Sequence, residues 1–248
     1  MDSVKAVSTP RSRLIDLEAL AATELANEPY RWAYLPHAIR PSQAAALRAT
    51  FPHAGFWHLR SHDGEKAMDF RIRALVPLGS ESVVEPDRLA APWRLLASEL
   101  LSPRYREACA RALGQSLGDA LLELSAWRWG PGAKLGAHVD IPRKLASQVF
   151  YFNQEWDPAL GGCLRILRSS NPEDVFAELP PSLGSASLIV RSESSWHSVP
   201  PIRNDAAAER LSLVATWQHP GTASPFWTTE QDGTVWCHAR GSVREDQA

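Results

Sequence analysis

Residues 121–140 read LLELSAWRWGPGAKLGAHVD. Leu121 to Trp129 is a strand-like run, and Gly130, Pro131 and Gly132 end it in a turn. A second run, Leu135–Asp140, closes on His138-Val139-Asp140. In a strand, residues i and i+2 point to the same face, so His138 and Asp140 can reach one ion. Downstream the texture repeats. Gln148–Asn153, Cys163–Leu167, Val175–Leu179, Ser187–Arg191 and Arg210–Trp217 predict further short strands, spaced by turn residues.

Upstream of residue 121 the pattern is helical. Leu14, Leu17, Leu20, Ala21 and Leu25 lie near helical spacing and predict a helix from Leu14 to Ala26. Tyr30–Leu35 predicts a strand closed by Pro36, and Ser42 is expected to cap a helix running to Phe51. Gly55 to Val76 is expected to hold strands and a mobile loop. Pro92 and Pro103 suit the first turns of helices ending near Leu101 and Gly114. Helices first and short strands later indicate an α+β chain whose second half is a mainly β barrel or sandwich. The expected divisions are a disordered stretch over 1–13, a helical and lid region over 14–120, a core over 121–218, and an extension over 219–248 without clear period, all in one structural domain.

Composition narrows the function classes. The 248 residues are 44% hydrophobic, enough to bury a substantial core, and carry a net charge of -2, which gives no electrostatic case for a nucleic-acid partner. Cys109, Cys163 and Cys237 form no CxxC pair, which fits a reducing, cytoplasmic setting. No stretch reaches about 18 apolar residues, so no membrane span is expected, and Met1 to Leu14 lacks the pattern of a secretory leader. Ten tryptophans is a high count; most are expected in the core, with one or two lining a substrate pocket.

The HxD triplet needs a third ligand. His197 is the best candidate, 59 residues downstream in Ser195-Trp196-His197-Ser198-Val199. Two histidines and one carboxylate form a facial triad with open positions on one face, the arrangement oxygen chemistry requires. His53, His58 and His62 lie near one another, but no triad pattern joins them.

Residues 127–217 resemble the prolyl-hydroxylase-like branch of Fe(II)- and 2-oxoglutarate-dependent dioxygenases. The residues that carry the resemblance are Pro131-Gly132, His138-Val139-Asp140, Phe150-Tyr151-Phe152-Asn153, Trp156-Asp157, Gly161-Gly162-Cys163-Leu164-Arg165-Ile166, Trp196-His197-Ser198-Val199 and Arg210-Leu211-Ser212. The resemblance implies a double-stranded β-helix, a jelly-roll or cupin-like barrel, braced by N-terminal helices. It implies Fe(II) held by His138, Asp140 and His197, with 2-oxoglutarate and O2 as cosubstrates. Arg210 would pair with the distal carboxylate of 2-oxoglutarate, Tyr151 would donate a hydrogen bond to it, and Ser212, on the same strand face, would add a hydroxyl. Gly161 and Gly162 would form the turn before a barrel strand.

Two departures stand out. The tyrosine this branch often places before the metal strand is Trp127 or Trp129 here, and an indole donates but cannot accept. The interval from His197 to Arg210 is slightly long, with a loop over Asn204 to Ala208. Arg203 also falls in that interval, but in a turn, whereas Arg210 opens an alternating strand.

The implied reaction is hydroxylation of an unactivated C–H bond, with succinate and CO2 as co-products. Asp140 argues against halogenation, because halogenase relatives carry a small residue there. The expected substrate is a free amino acid or small natural-product intermediate, its carboxylate met by Arg60, Arg71 or Arg73 from the lid region and its body by Trp129. The alternatives are a protein or peptidyl (prolyl-type) hydroxylase and a non-catalytic binding barrel. The last predicts a broken triad or a missing arginine.

Overall fold

The computed structural model describes residues 14–61, 68–239 and 242–245. The first half holds α1 (Leu17–Ala21), β1 (Trp32–Leu35), α2 (Pro41–Ala49), β2 (Trp57–Ser61), β3 (Met68–Val76), α3 (Ala91–Leu100) and α4 (Pro103–Leu113). The second half holds β4 (Leu121–Trp129), β5 (Lys134–His138), β6 (Lys144–Tyr151), β7 (Leu164–Leu167), β8 (Val175–Leu179), β9 (Ala186–Val190), β10 (His197–Val199) and β11 (Arg210–Gln218). Three short strands end the chain: β12 (Trp227–Thr229), β13 (Val235–Cys237) and β14 (Val243–Arg244).

The strands form one antiparallel sheet in the order β1-β9-β6-β11-β4-β3-β5-β10-β7-β8, with β2 on β3 and β14 on β2. Strand β3 makes the corner: Arg71 to Val76 pair with β4, while Met68 and Asp69 pair with β5. The sheet thereby curls into two layers, β1-β9-β6-β11-β4-β3 facing β5-β10-β7-β8. This is the expected double-stranded β-helix, a nearly closed jelly-roll barrel.

Strand β11 shows why the layers sit as they do. Leu213, Ala215 and Trp217 face outward into an apolar cluster with α2, α3 and α4, which contribute Leu47, Trp93, Leu96, Tyr105 and Leu113. Arg210, Ser212, Val214 and Thr216 face the barrel cavity. The helices begin where proline permits them. Pro41, Pro92 and Pro103 occupy first-turn positions, where a missing N–H costs nothing. Ser102 caps α4 by accepting from Tyr105 N, and Gly114 ends it in the left-handed region.

Several expectations require correction. The helix predicted over Leu14–Ala26 is only the five residues of α1, because Ala26 exchanges backbone hydrogen bonds with Trp32 instead of continuing it. Ser42 is not a cap: Pro41 starts α2, Arg40 precedes it, and Ser42 lies inside the helix. Strand β6 begins at Lys144, earlier than predicted, and β10 was not foreseen as a strand. The tail after residue 219 forms the β12–β13 hairpin and the strand β14, all too short for periodicity to reveal. The predicted disorder over 1–13 lies outside the described residues. So do the centre of the predicted lid loop, 62–67, and residues 241 and 246–248.

Gly161 and Gly162 turn the chain into β7 with φ of +76° and +74°. A Cβ on Gly161 would fall 2.1 Å from the Pro201 carbonyl oxygen, a backbone atom that cannot step aside. Gly161 has ψ -159°, a region essentially reserved for glycine. Gly161→Ala is therefore expected to destabilise the fold by at least about 3 kcal/mol, from backbone strain plus overpacking. The shift in the denaturant midpoint checks it. A loss below 1 kcal/mol would show that the turn relaxes freely.

Candidate active site

Strand pairing assembles the site. His138 ends β5, Asp140 follows two residues later, and β10 sets His197 directly opposite His138 in register. All three are buried, and their ligand atoms lie within 4.8 Å of one another. His138 Nε2 is 4.0 Å from Asp140 Oδ1, and the two imidazole centroids are 4.3 Å apart.

Hydrogen bonds orient each of these side chains. His138 Nδ1 faces the Gly136 carbonyl at 2.9 Å and His197 Nδ1 faces that of Ser195 at 2.8 Å. A carbonyl only accepts, so both rings carry the proton on Nδ1 and turn the Nε2 lone pair toward the cluster. Asp140 Oδ1 accepts from Lys144 Nζ at 2.7 Å, and Oδ2 accepts from Ser147 Oγ at 3.0 Å. Arg191 Nε donates to the Asp140 backbone carbonyl at 3.2 Å. Two imidazole nitrogens and one carboxylate, fixed by outer hydrogen bonds, are a donor set suited to Fe(II).

The triad opens into a cavity that runs inside β4, β6 and β11. Arg210 lines one end. Its guanidinium carbon lies 5.0 Å from the Trp129 ring centre and 5.2 Å from that of Tyr151. The residue is 3% exposed, burial pushes its pKa down, and among the described residues no carboxylate lies within ion-pair distance. Arg210 Nε, Ser212 Oγ, Trp127 Nε1 and Trp129 Nε1 are buried without hydrogen-bond partners, all on the cavity wall. A buried guanidinium with an unmet nitrogen and no carboxylate, ringed by further donors, is costly unless an anion with several acceptor oxygens meets it. A carboxylate tail such as that of 2-oxoglutarate fits that set.

Residues 124–219 match the family model described as the 2OG-Fe(II) oxygenase superfamily. The barrel has the fold seen in 2OG-Fe(II) oxygenases. Among solved structures, a prolyl-4-hydroxylase from Pseudomonas putida is similar at 22% identity and TM-score 0.52, covering 82% of this chain and 96% of that one. A 2OG-Fe(II) oxygenase family oxidoreductase from Burkholderia pseudomallei gives 18% identity and TM-score 0.59, over 86% and 95%. A prolyl hydroxylase from Trichoplax adhaerens, in complex with a hypoxia inducible factor peptide fragment, gives 15% and 0.54, over 82% and 86%. These likenesses are of fold. A comparison with curated protein sequences returned no match. Enzymes of this superfamily need Fe(II), 2-oxoglutarate and O2.

Not every expected site residue meets the oxygenase cavity. His138, Asp140, His197, Arg210, Tyr151, Ser212 and Trp129 all line it. The Tyr151 hydroxyl already meets Ser187 Oγ at 2.8 Å, a pair in which either can donate. Arg60, Arg71 and Arg73 do not line it. Arg60 is exposed and donates to Asp69 at 3.0 Å, and Arg71 pairs with Glu245. Arg73 is buried elsewhere, donating to the Ala54 carbonyl at 2.8 Å and facing Glu85. Strand β2 carries Arg60, and β3 carries Arg71 and Arg73, away from the cavity, which sequence spacing cannot reveal.

Several residues at the site carried no signal of their own. Lys144 and Ser147 hold Asp140 and sit four and seven residues beyond it. Asn153 pins the start of β11, donating to the Glu209 carbonyl at 2.7 Å and accepting from Leu211 N at 2.9 Å on either side of Arg210. Asn153 stood in the motif that carried the resemblance, without a role. Glu123, Pro225 and Phe226 reach the cavity from opposite ends of the core sequence.

Among the described residues no helix is long and apolar enough to cross a membrane.

Proposed function

We propose that this oxygenase hydroxylates a C–H bond of a free amino acid or small natural-product intermediate, with His138, Asp140 and His197 holding the iron. The observation that carries this reading is the pairing of that triad with an acid-less buried Arg210 in one cavity. When bound, Fe(II) with 2-oxoglutarate and O2 supplies the oxidant for the substrate and releases succinate and CO2. The chain's part is positioning. Arg210 anchors the cosubstrate tail by its planar fork, Ser212 adds a hydroxyl donor, and the Trp129 and Tyr151 rings fix the guanidinium from its sides. Lys144 and Ser147 keep Asp140 aimed at the cluster. The aromatic wall of Phe70, Trp127 and Trp129, with Phe70 stacked 4.4 Å from Trp127, excludes water from the cavity.

A small substrate is favoured over a peptide because Pro225 and Phe226 wall the cavity, with Phe226 set edge-on to Trp127 at 6.0 Å. A peptide would need a continuous open groove there. The three buried free cysteines support a reducing, cytoplasmic compartment as the site of action. Succinate release from 2-oxoglutarate under O2 with Fe(II), screened over free amino acids and short peptides, tests the reading. The expected result is stimulation by a free small molecule. Stimulation by peptides alone would transfer the assignment to the peptidyl class.

A further inference from the structure

The cavity contains one carboxylate outside the triad. Glu123 lines it from β4, is 5% exposed, and leaves Oε2 without a hydrogen-bond partner. Burial raises its pKa, while the Ser224 hydroxyl and the charges of Lys144 and Arg143 act against that. Among the described residues no cation lies within ion-pair distance of it. Lys144 Nζ is committed to Asp140 at 2.7 Å.

Strand register locates Glu123 relative to both cosubstrate and metal. Along β4 and β11, Trp129 pairs with Arg210 and Glu123 pairs with Thr216. Six residues separate those rows, roughly 20 Å of strand. A cosubstrate tail anchored at Arg210 therefore does not meet Glu123. Across the sheet, Thr216 also pairs with Ser147, whose hydroxyl holds Asp140. Glu123 is therefore level with the triad and two strand spacings, about 10 Å, from Ser147.

The same end of the cavity is closed by the tail. Trp227 Nε1 donates to Ser125 Oγ at 3.2 Å, and Pro225 and Phe226 complete the wall. A buried carboxylate with an unmet oxygen, on the wall of the cavity that holds the triad, calls for a donor that arrives with the substrate. An ionic donor satisfies it best.

We propose that Glu123 is a substrate-binding residue that receives a cationic nitrogen, an ammonium or guanidinium, of a small substrate. This rests on the small-molecule oxygenase reading. The pair holds the substrate at the level of Asp140 and sorts ligands by charge.

Anaerobic calorimetric titration of the full chain loaded with Fe(II) and 2-oxoglutarate tests it. The probes are L-lysine, L-ornithine, L-arginine and cadaverine, whose distal nitrogen is cationic, against L-norleucine and L-citrulline, whose side chains are uncharged, and L-glutamate, whose side chain is anionic. At least one cationic probe should bind at least about 10-fold tighter than its uncharged analogue. Glu123→Gln, which preserves shape, should weaken that probe about 10- to 100-fold, the worth of a hydrogen bond to a charged group. Its 2-oxoglutarate affinity should stay within about twofold of wild type, because Arg210 is untouched. Equal binding of cationic and uncharged probes, a preference that survives Glu123→Gln, or no binding by any probe despite normal 2-oxoglutarate binding would each overturn the proposal. Failure of the wild-type chain to bind 2-oxoglutarate would overturn the oxygenase reading itself, and the proposal with it.

Discussion

Replacing His138 or His197 by alanine is expected to abolish coupled turnover and iron retention. The two imidazoles face each other across β5 and β10, and each is oriented by its own backbone carbonyl, so neither can substitute for the other. Loss of an outer partner of a metal ligand typically costs 10- to 100-fold in metal affinity or activity, and loss of the ligand itself must cost more. The ranking is therefore testable within one site. His138→Ala, His197→Ala and Asp140→Gly should each fall below detection in succinate release and in bound iron after desalting. Ser147→Ala, which removes only the hydroxyl on Asp140 Oδ2, should lower iron affinity about 10- to 100-fold. Each histidine truncation removes a buried polar ring from a cavity wall, so the thermal midpoint of the metal-free protein should change little. Full iron occupancy in all three ligand variants would refute the triad.

Arg210→Ala is expected to raise the 2-oxoglutarate requirement by about two to four orders of magnitude. Removing one partner of a buried ion pair costs on the order of 3–5 kcal/mol, and about 1.4 kcal/mol corresponds to tenfold in affinity. Arg203→Ala is the control. Arg203 is exposed and donates to its neighbour Asp205 at 2.9 and 2.7 Å, outside the cavity, so its loss should leave the requirement within about twofold. Arg210→Lys should restore only part of the affinity, since an ammonium cannot reproduce the planar fork seated between Trp129 and Tyr151. Apparent 2-oxoglutarate affinity in the three variants, read by succinate release or by binding, checks the order. The reverse ranking of Arg203 and Arg210 would displace the cosubstrate anchor and leave the iron ligands untouched.

What the sequence determined by itself is local. His138 and Asp140 share a strand face at i and i+2, and the alternation of β11 separates Arg210 and Ser212 from Leu211, Leu213 and Trp217; both depend only on a period of two. Prolines at 92 and 103 announced two helices because their lost N–H is harmless only in a first turn. Tertiary structure decided everything that depends on which strand lies beside which. His197 meets His138 only through the β5–β10 register, in a strand of three residues that no periodicity reveals. Arg60, Arg71 and Arg73 share a sequence neighbourhood with the predicted lid, but the pairing of β2 and β3 keeps them away from the cavity. The tail, without period of its own, closes the cavity through Phe226 and Trp227 because β4 offers Trp127 and Ser125 to receive them. Glu123 gave no signal, since one acid in a strand of leucines is as often exposed as buried. Its lack of a partner exists only once β4, β6, β11 and the tail enclose it.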